Sequence, residues 1–225
     1  MKGNLEIVQM LVESGALLDR QTKDGRTALY LAVQEGHVDV VEYLTDQYPK
    51  ALLIETNSGR LPTQAAAALS SPLSKEGYEI TRYLLSHSSG LTINDDGSNS
   101  LIGHRDKSGR DILLDATVSQ NLELLQFLLN QGGADANDID SLGRTMMHHA
   151  AIMGHLDVLK LLSKIEGELQ WNATDTWDSW TPLMHAAKEG HEEVVRYLVE
   201  VIKVETYQKD KQGRTAKDLG ICLFM

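Results

Sequence analysis

Short segments of the chain carry apolar residues at positions i, i+1 and i+4, a spacing that forms one stripe along a helix. Because the stripe makes only one side of such a helix apolar, each segment is predicted to be a helix that packs that side against a neighbour. Three of the segments follow a glycine, Gly36, Gly154 or Gly190, which can take the left-handed conformation that ends a preceding helix. The four stripes are Val40, Val41 and Leu44; Leu124, Leu125 and Leu128; Val158, Leu159 and Leu162; and Val194, Val195 and Leu198.

A second regularity lies upstream of these segments, where a turn residue recurs with spacings of 34, 50, 34, 36 and 34 residues. The turn residues are Gly25, Gly59, Gly109, Gly143, Ser179 and Gly213. A helix is predicted to begin shortly after each turn, with Thr27, Thr145, Thr181 and Thr215 as N-caps and Pro182 at a first helical position. Paired helices of about two turns each are not stable alone, so the pairs must stack on one another.

The stretches TPLMHAA at residues 181–187, GH at 190–191 and VVRYLV at 194–199 show the repeated unit most clearly. In this order and at this period the motifs resemble the signatures of the ankyrin-repeat family, over nearly the whole chain. The resemblance implies one all-α solenoid over residues 1–225, built of stacked helix-turn-helix units with hairpin-like connecting turns. It also implies a module for protein-protein interaction.

The register divides the chain into five full repeats and two partial ones. The full repeats are 23–56, 57–104, 105–138, 139–174 and 175–208, and the partial ones are 1–22, which holds a second helix only, and 209–225. Repeat 57–104 is enlarged by insertions near 68–76 and 87–104, which are either functional or merely tolerated. Because terminal repeats need polar caps, the partial ends predict a piece of a longer protein or ends that something else covers.

Charge and cysteine content limit the classes of partner and the cellular compartment that we expect for this chain. The formal net charge of −11 repels phosphate backbones and anionic membranes, which predicts no nucleic-acid partner. No stretch approaches the roughly 20 apolar residues that cross a bilayer, so no membrane insertion is predicted. Cys222 is the only cysteine, so the chain cannot form an internal disulfide, and a cytoplasmic location, with the nucleus as the alternative, is expected.

The resemblance implies that a partner binds the concave side, formed by the turn tips and the exposed face of each first helix. The arginines there either support the turns or recognise an acidic or phosphorylated segment. The tryptophans either fold over a neighbouring turn or anchor the partner. The predicted protein-binding ridge comprises Arg26, Arg60, Arg110, Arg144, Trp177, Trp180 and Arg214, together with Asp115, His149 and His185 at outward helix positions.

The outward residues Asp115, His149 and His185 are predicted to be neighbours in successive repeats. Adjacent repeats lie about 10 Å apart, whereas zinc needs donors near 2 Å. We therefore predict no metal, no cofactor, no catalytic residue and no enzyme activity. Asn137 resembles the hairpin asparagine that intracellular asparaginyl hydroxylases modify in proteins of this family, although most such asparagines serve the turn.

Two functional hypotheses follow from the sequence. The first is an interaction module that binds a peptide or folded protein on the concave face, where Trp180→Ala should weaken binding and leave the fold intact. The second is a regulatory or scaffolding segment of a larger enzyme or channel, which docks within its own chain.

Overall fold

The structure of the chain, a computed structural model, describes residues 4–88, 101–130, 134–165 and 167–220. It divides into two compact units, Met1–Ala134 and Asp135–Met225. The described residues of both units form helices and turns and contain no β-strand. This confirms the all-α class and the helix-turn-helix pairs predicted from the sequence. Within the described ranges, no helix is both long enough and apolar enough to cross a membrane.

The first unit is a double layer of short helices. The first helices of successive pairs, α2, α4 and α6, contact one another in order, and the second helices, α3, α5 and α7, form the other layer. Helix α1 contacts α3, as expected for a second helix without its partner. The bounds are α1 Leu5–Glu13, α2 Ala28–Gln34, α3 Val38–Gln47, α4 Pro62–Ala67, α5 Ser74–Ser86, α6 Ile112–Val118 and α7 Leu122–Asn130, with a 3-10 turn over Pro49–Leu53.

The second unit repeats this arrangement with fewer pairs. Helix α8 packs on α10 and α10 on α12, while α9 contacts α11 in the other layer. The bounds are α8 Met146–Met153, α9 Leu156–Leu162, α10 Pro182–Glu189, α11 Glu192–Tyr197 and α12 Ala216–Leu219, with a π-helical turn over Leu198–Ile202 after α11.

Two of the four predicted threonine caps make the expected hydrogen bond, while Thr145 and Thr215 occupy the N-cap position without one. The hydroxyl oxygens of Thr27 and Thr181 each accept a hydrogen bond of 3.2 Å from the backbone N–H three residues later. Asp111 caps α6 in the same way, at 2.8 Å from the N–H of Leu114. Since a cap satisfies an otherwise unpaired N–H group, the fourth repeat keeps its helix start without a threonine.

The predicted stripes of the second helices form the core. All of their apolar residues are buried except Val195, which is half-buried. Gly36, Gly154 and Gly190 have φ between +71° and +81°, so they end the first helices in the left-handed conformation that was predicted.

The two predicted insertions have different outcomes. The first, near 68–76, is only partly a loop, because α5 begins at Ser74 and its first turn takes up the end of the insertion. Most of the second lies outside the described residues. Its last part is anchored, since Leu101 is buried and the His104 ring nitrogen Nε2 lies 2.8 Å from the carbonyl oxygen of Gly59.

A backbone hydrogen bond joins neighbouring turns, and it requires close approach at Gly25. The N–H of Asn57 donates to the carbonyl of Asp24 at 2.9 Å, and a Cβ at Gly25 would lie 2.6 Å from the same nitrogen. Gly25 also has φ +81°, which disfavours any other residue. The first turn therefore depends on glycine for two separate reasons.

We expect Gly25→Ala to lower the free energy of unfolding by at least about 2 kcal/mol, the sum of backbone strain and a steric clash. The control is Gly15→Ala, where φ is +88° but a Cβ meets nothing within 4 Å, so only the strain of about 1 kcal/mol applies. Urea unfolding of both variants measures the difference. Equal losses would show that close approach of the turns contributes nothing.

Candidate functional site

A buried aspartate organises the turn of the fifth repeat. Oδ1 of Asp140 accepts from the backbone N–H groups of Leu142 at 2.9 Å and Arg144 at 3.0 Å. Its Oδ2 lies 2.8 Å from Nε of Arg144 and 3.1 Å from Nε2 of His149. Burial alone would raise the pKa of Asp140, but the hydrogen bonds from His149 and Arg144 outweigh it and hold the pKa well below its usual range.

The turn of the sixth repeat uses Asp175 in the same role. Its Oδ1 accepts from the N–H groups of Asp178 and Trp180, both at 3.1 Å, and its Oδ2 lies 3.0 Å from Nε2 of His185. Ser179 takes the turn position of glycine with φ +59°. Burial lowers the pKa of His185 below its ordinary value, so the ring is mainly neutral at pH 7.

Trp180 is held in place by the seventh turn. Its indole Nε1 donates to Oδ2 of Asp210 at 3.1 Å, its ring meets the His185 ring edge to face at 5.1 Å, and the Arg214 guanidinium lies 5.8 Å from its centroid. Burial would raise the pKa of Asp210, yet the hydrogen bonds from Arg214 and its neighbours lower it to about 2. Trp180 therefore contributes to the fold, and the prediction that Trp180→Ala would leave it intact conflicts with these contacts.

His148 bridges two turns from inside the second unit. Its Nδ1 accepts from the backbone N–H of Thr145 at 3.1 Å, so Nε2 carries the ring proton and donates to the carbonyl oxygen of Trp180 at 3.0 Å. Burial lowers the pKa of His148 to about 4. The neutral ring thus fixes the position of the Trp180 backbone.

The turns of the fifth and sixth repeats border an open groove of 470 Å³ in the second unit. Trp177 is its most prominent wall, with 72% of its surface exposed. We call this site the Trp177 groove. Its lining residues are Leu142, Arg144, Asp175, Trp177, Asp178, Trp180 and His185.

The groove brings together four residues that the sequence analysis singled out, Arg144, Trp177, Trp180 and His185. His149 lies beside them but is 6% exposed, because its ring turns back onto Asp140. The prediction of an outward His149 is therefore wrong.

In the first unit, three predicted ridge residues form an internal ion cluster. Nη2 of Arg60 donates to Oδ2 of Asp115 at 2.7 Å, and Nη1 lies 3.5 Å from Oδ2 of Asp106. Arg110 lies 3.7 Å from Asp106 and 3.9 Å from Asp115. Asp115 is 2% exposed, so its predicted outward position is also wrong. Burial raises its pKa to about 6, although Arg60 and Arg110 oppose the shift.

The remaining ridge arginines also have partners within the chain. Nη1 of Arg26 donates to Gln34 at 3.0 Å, and its Nη2 lies 3.8 Å from Asp24. Arg214 binds Oδ2 of Asp210 through Nε at 2.8 Å and Nη2 at 2.7 Å. The arrangement favours turn support over an unoccupied row of guanidinium groups.

Asn137, the predicted hydroxylation site, links two turns. Its side-chain Nδ2 donates to the carbonyl of Glu168 at 3.0 Å, and its Oδ1 accepts from the N–H of Gln170 at 3.0 Å. Its own N–H donates to Asp135 at 2.9 Å. Both ends of the amide thus serve the turn, and hydroxylation stays a prediction.

The turn carboxylates and two lining residues of the groove, Leu142 and Asp178, were not predicted from the sequence. A signal for the carboxylates was present, because Asp106, Asp140 and Asp210 each stand four residues before an arginine. Across residues 4–88, 101–130, 134–165 and 167–220, no three His, Cys, Asp or Glu side chains are grouped to hold a metal ion.

Two family models match the chain. The model for ankyrin repeats in many copies matches residues 1–45 and 113–162. The model for ankyrin repeats in three copies matches residues 165–222. Together these matches span both units and the Trp177 groove.

Several individual proteins are also similar in sequence to this chain. The Probable 26S proteasome regulatory subunit p28 of Saccharomyces cerevisiae is 27% identical over 220 residues, which are 86% of this chain and 92% of that protein. The Putative ankyrin repeat protein of Rickettsia bellii is 32% identical over 100 residues, 44% of this chain and 54% of that protein. Protein phosphatase 1 regulatory subunit 12A of Mus musculus is 43% identical over 79 residues, 35% of this chain and 7% of that protein. By these matches and its repeated helix pairs, the chain belongs to the ankyrin-repeat family.

Proposed function

We propose that this chain binds a protein or peptide partner in the Trp177 groove, as an interaction module without catalytic activity. The observation that carries the proposal is the indole of Trp177, which is 72% exposed at the edge of a 470 Å³ groove. A large exposed aromatic side chain beside a concave surface is typical of an anchor residue in protein interfaces.

The groove is also suited to binding because its walls are already fixed. Hydrogen bonds within the chain hold Arg144 on Asp140, His185 on Asp175 and Trp180 on Asp210. A partner would therefore order few side chains, and little of the binding free energy would be lost to entropy.

The ridge arginines were one reason to expect an acidic or phosphorylated partner segment. Three of them, Arg60, Arg144 and Arg214, form ion pairs of 2.7 Å within the chain, which argues against that occupant because a phosphate would have to displace the aspartate from each. We therefore propose a protein partner whose bound segment is neither acidic nor phosphorylated.

A second, more specific candidate is a regulatory subunit of the proteasome. Its support is the match to the yeast relative, which extends over 220 residues and 92% of that protein. Affinity capture from cells of the source organism tests it, and recovery of proteasome subunits is the expected result. Capture without any proteasome subunit would contradict it.

Docking within a longer chain is the remaining candidate. It is supported by the exposed apolar side chains of α1, where Ile7, Met10 and Leu11 lie open to solvent. If α1 docks on another part of the same polypeptide, adding that part in trans should protect α1 from hydrogen exchange. Unchanged exchange of α1 would rule this candidate out.

We expect Trp177→Ala to weaken binding of the captured partner at least about tenfold, or about 1.4 kcal/mol, because the anchor is lost. Tyr207→Ala is the matched control, since Tyr207 is equally exposed and does not line the groove. Calorimetric titration of both variants gives the two dissociation constants. If the two variants bind alike, the groove is not the binding site.

A further inference from the structure

We infer that the Trp177 groove receives a basic side chain, arginine or lysine, from the partner segment, with the Trp177 indole and the Asp178 carboxylate as its two contacts. The inference rests on the proposed function and specifies the partner's chemistry. It replaces the acidic segment that the row of arginines first suggested.

The charges that line the groove favour a cation. Arg144 is neutralised by Asp140, whose Oδ2 lies 2.7 Å from its Nη2. The other ionised lining residues are Asp175 and Asp178. His185 donates to Asp175 and adds no full positive charge while its ring is neutral. The lining is therefore negative, and a partner carboxylate would be repelled there.

Two further cations lie near the groove and leave its balance negative, because Arg214 is paired with an aspartate and Lys211 keeps its charge but offsets only one of the two lining carboxylates. The Lys211 ammonium donates to the carbonyl oxygens of Thr176 and Trp177, and Arg214 is bound to Asp210. Neither cation lines the groove. The carboxylate of Asp178, by contrast, takes part in no ion pair or hydrogen bond with the described residues.

The indoles supply the second kind of contact. A guanidinium or ammonium group within about 6 Å of an indole centroid is attracted by the ring face. The chain already makes such a contact, because the Arg214 guanidinium lies 5.8 Å from the Trp180 centroid. Trp177 has a similar ring that is largely exposed. A planar guanidinium can stack on it and still reach a carboxylate, so arginine should bind better than lysine.

The charge of the whole chain acts in the same direction. With a formal net charge of −11, the protein attracts basic segments at long range and speeds their encounter with the groove. Because exposed charges are screened by salt, the affinity should fall as ionic strength rises.

The test uses the full chain labelled with ¹⁵N and three capped pentapeptides, Gly-Ser-X-Ser-Gly, in which X is arginine, norleucine or glutamate. The indole N–H signal of Trp180 reports groove binding and is present in every variant used. We expect the arginine peptide to shift it with an affinity at least about threefold higher than that for norleucine. The glutamate peptide should bind most weakly.

Two variants with the same change of charge assign the effect. Asp178→Asn should weaken the arginine peptide at least about threefold and leave the norleucine peptide unchanged. Asp157→Asn on α9 is the control, because that exposed carboxylate does not line the groove, and it should have no effect. Trp177→Ala should weaken the arginine and norleucine peptides together.

The outcomes separate this inference from the proposed function. Equal or tighter binding of the glutamate peptide, or no effect of Asp178→Asn, overturns the basic occupant. If the captured partner still loses affinity with Trp177→Ala in that case, the groove remains the binding site. If Trp177→Ala changes the affinity for neither the peptides nor the captured partner, both proposals fail.

Discussion

Replacing Asp115 with alanine is expected to lower the free energy of unfolding by about 3 kcal/mol, because removal of one member of a buried ion pair leaves Arg60 with only its longer ion pair to Asp106. The side chain of Arg60 is only 15% exposed and would lose its 2.7 Å contact. Asp106, at 3.5 Å, is too far to replace it fully. Urea unfolding at pH 7, where most of the Asp115 carboxyl is ionised, measures the loss.

Asp157→Ala provides the matched control for this ion cluster. Asp157 is 59% exposed and pairs with Lys160 at 3.6 Å, so its removal should cost less than about 0.5 kcal/mol. Similar losses in the two variants would mean that the Arg60 cluster stabilises the first unit no more than a surface pair does.

We expect the second unit to lose stability between pH 6.5 and pH 4, and His148→Gln to remove the larger part of this loss. The part that comes from His185, whose pKa burial also lowers, remains in the variant. The pKa of His148 is lowered to about 4, below the ordinary 6.5, so the unfolded chain binds the proton more readily. The contribution of the neutral ring is fully present above pH 6.5 and disappears as the pH falls to 4. The difference amounts to about 3 kcal/mol.

Gln64 in the first unit shows why glutamine is the informative substitution. Its Oε1 accepts from the N–H of Leu61 at 3.0 Å and its Nε2 donates to the carbonyl of Arg110 at 2.8 Å, the two hydrogen bonds that His148 makes in the second unit. A glutamine does not titrate. Urea unfolding at pH 7 and pH 4 should give a loss for the original chain that exceeds the loss for His148→Gln by about 3 kcal/mol. Equal losses would show that His148 is not the source.

The local parts of the fold could be predicted from the sequence because each depends on few neighbouring residues. Thr27 and Thr181 cap helices, Gly154 and Gly190 end them, and the i, i+1, i+4 stripes face inward. Caps and stripes act within about one helical turn, so the sequence contains all that determines them.

The burial of polar side chains could not be predicted in the same way. Asp115 and His149 occupy positions that face outward in the repeat pattern, but each is buried because a turn residue bonds to it, Arg60 in one case and Asp140 in the other. Those contacts join residues 55 and 9 positions apart. The pairing of Arg60 with Asp115 could therefore be seen only in the packed structure.

Only some of the residues that line the Trp177 groove could be predicted from the sequence, because contacts between turns do not show in it. Trp177 and Trp180 were identified because exposed tryptophans at a turn are unusual, whereas Leu142 and Asp178 looked ordinary. Leu142 belongs to the preceding turn, and a hydrogen bond of 2.8 Å from the N–H of Thr176 to the Leu142 carbonyl brings it to the groove.

The fourth repeat lacks the Gly-His pair that separates the two helices in other repeats. Gln120 takes the left-handed conformation there, with φ +57°, and the side chain of Asn121 caps α7.

Hydrogen-deuterium exchange of the chain with and without its captured partner tests most directly whether the Trp177 groove is the binding site. Backbone amides of Asp178 and Trp180, and those of the turn at Leu142 and Arg144, should exchange more slowly in the complex. Protection confined to the second-helix layer, α9 and α11, with unchanged exchange at these turns would contradict the proposal.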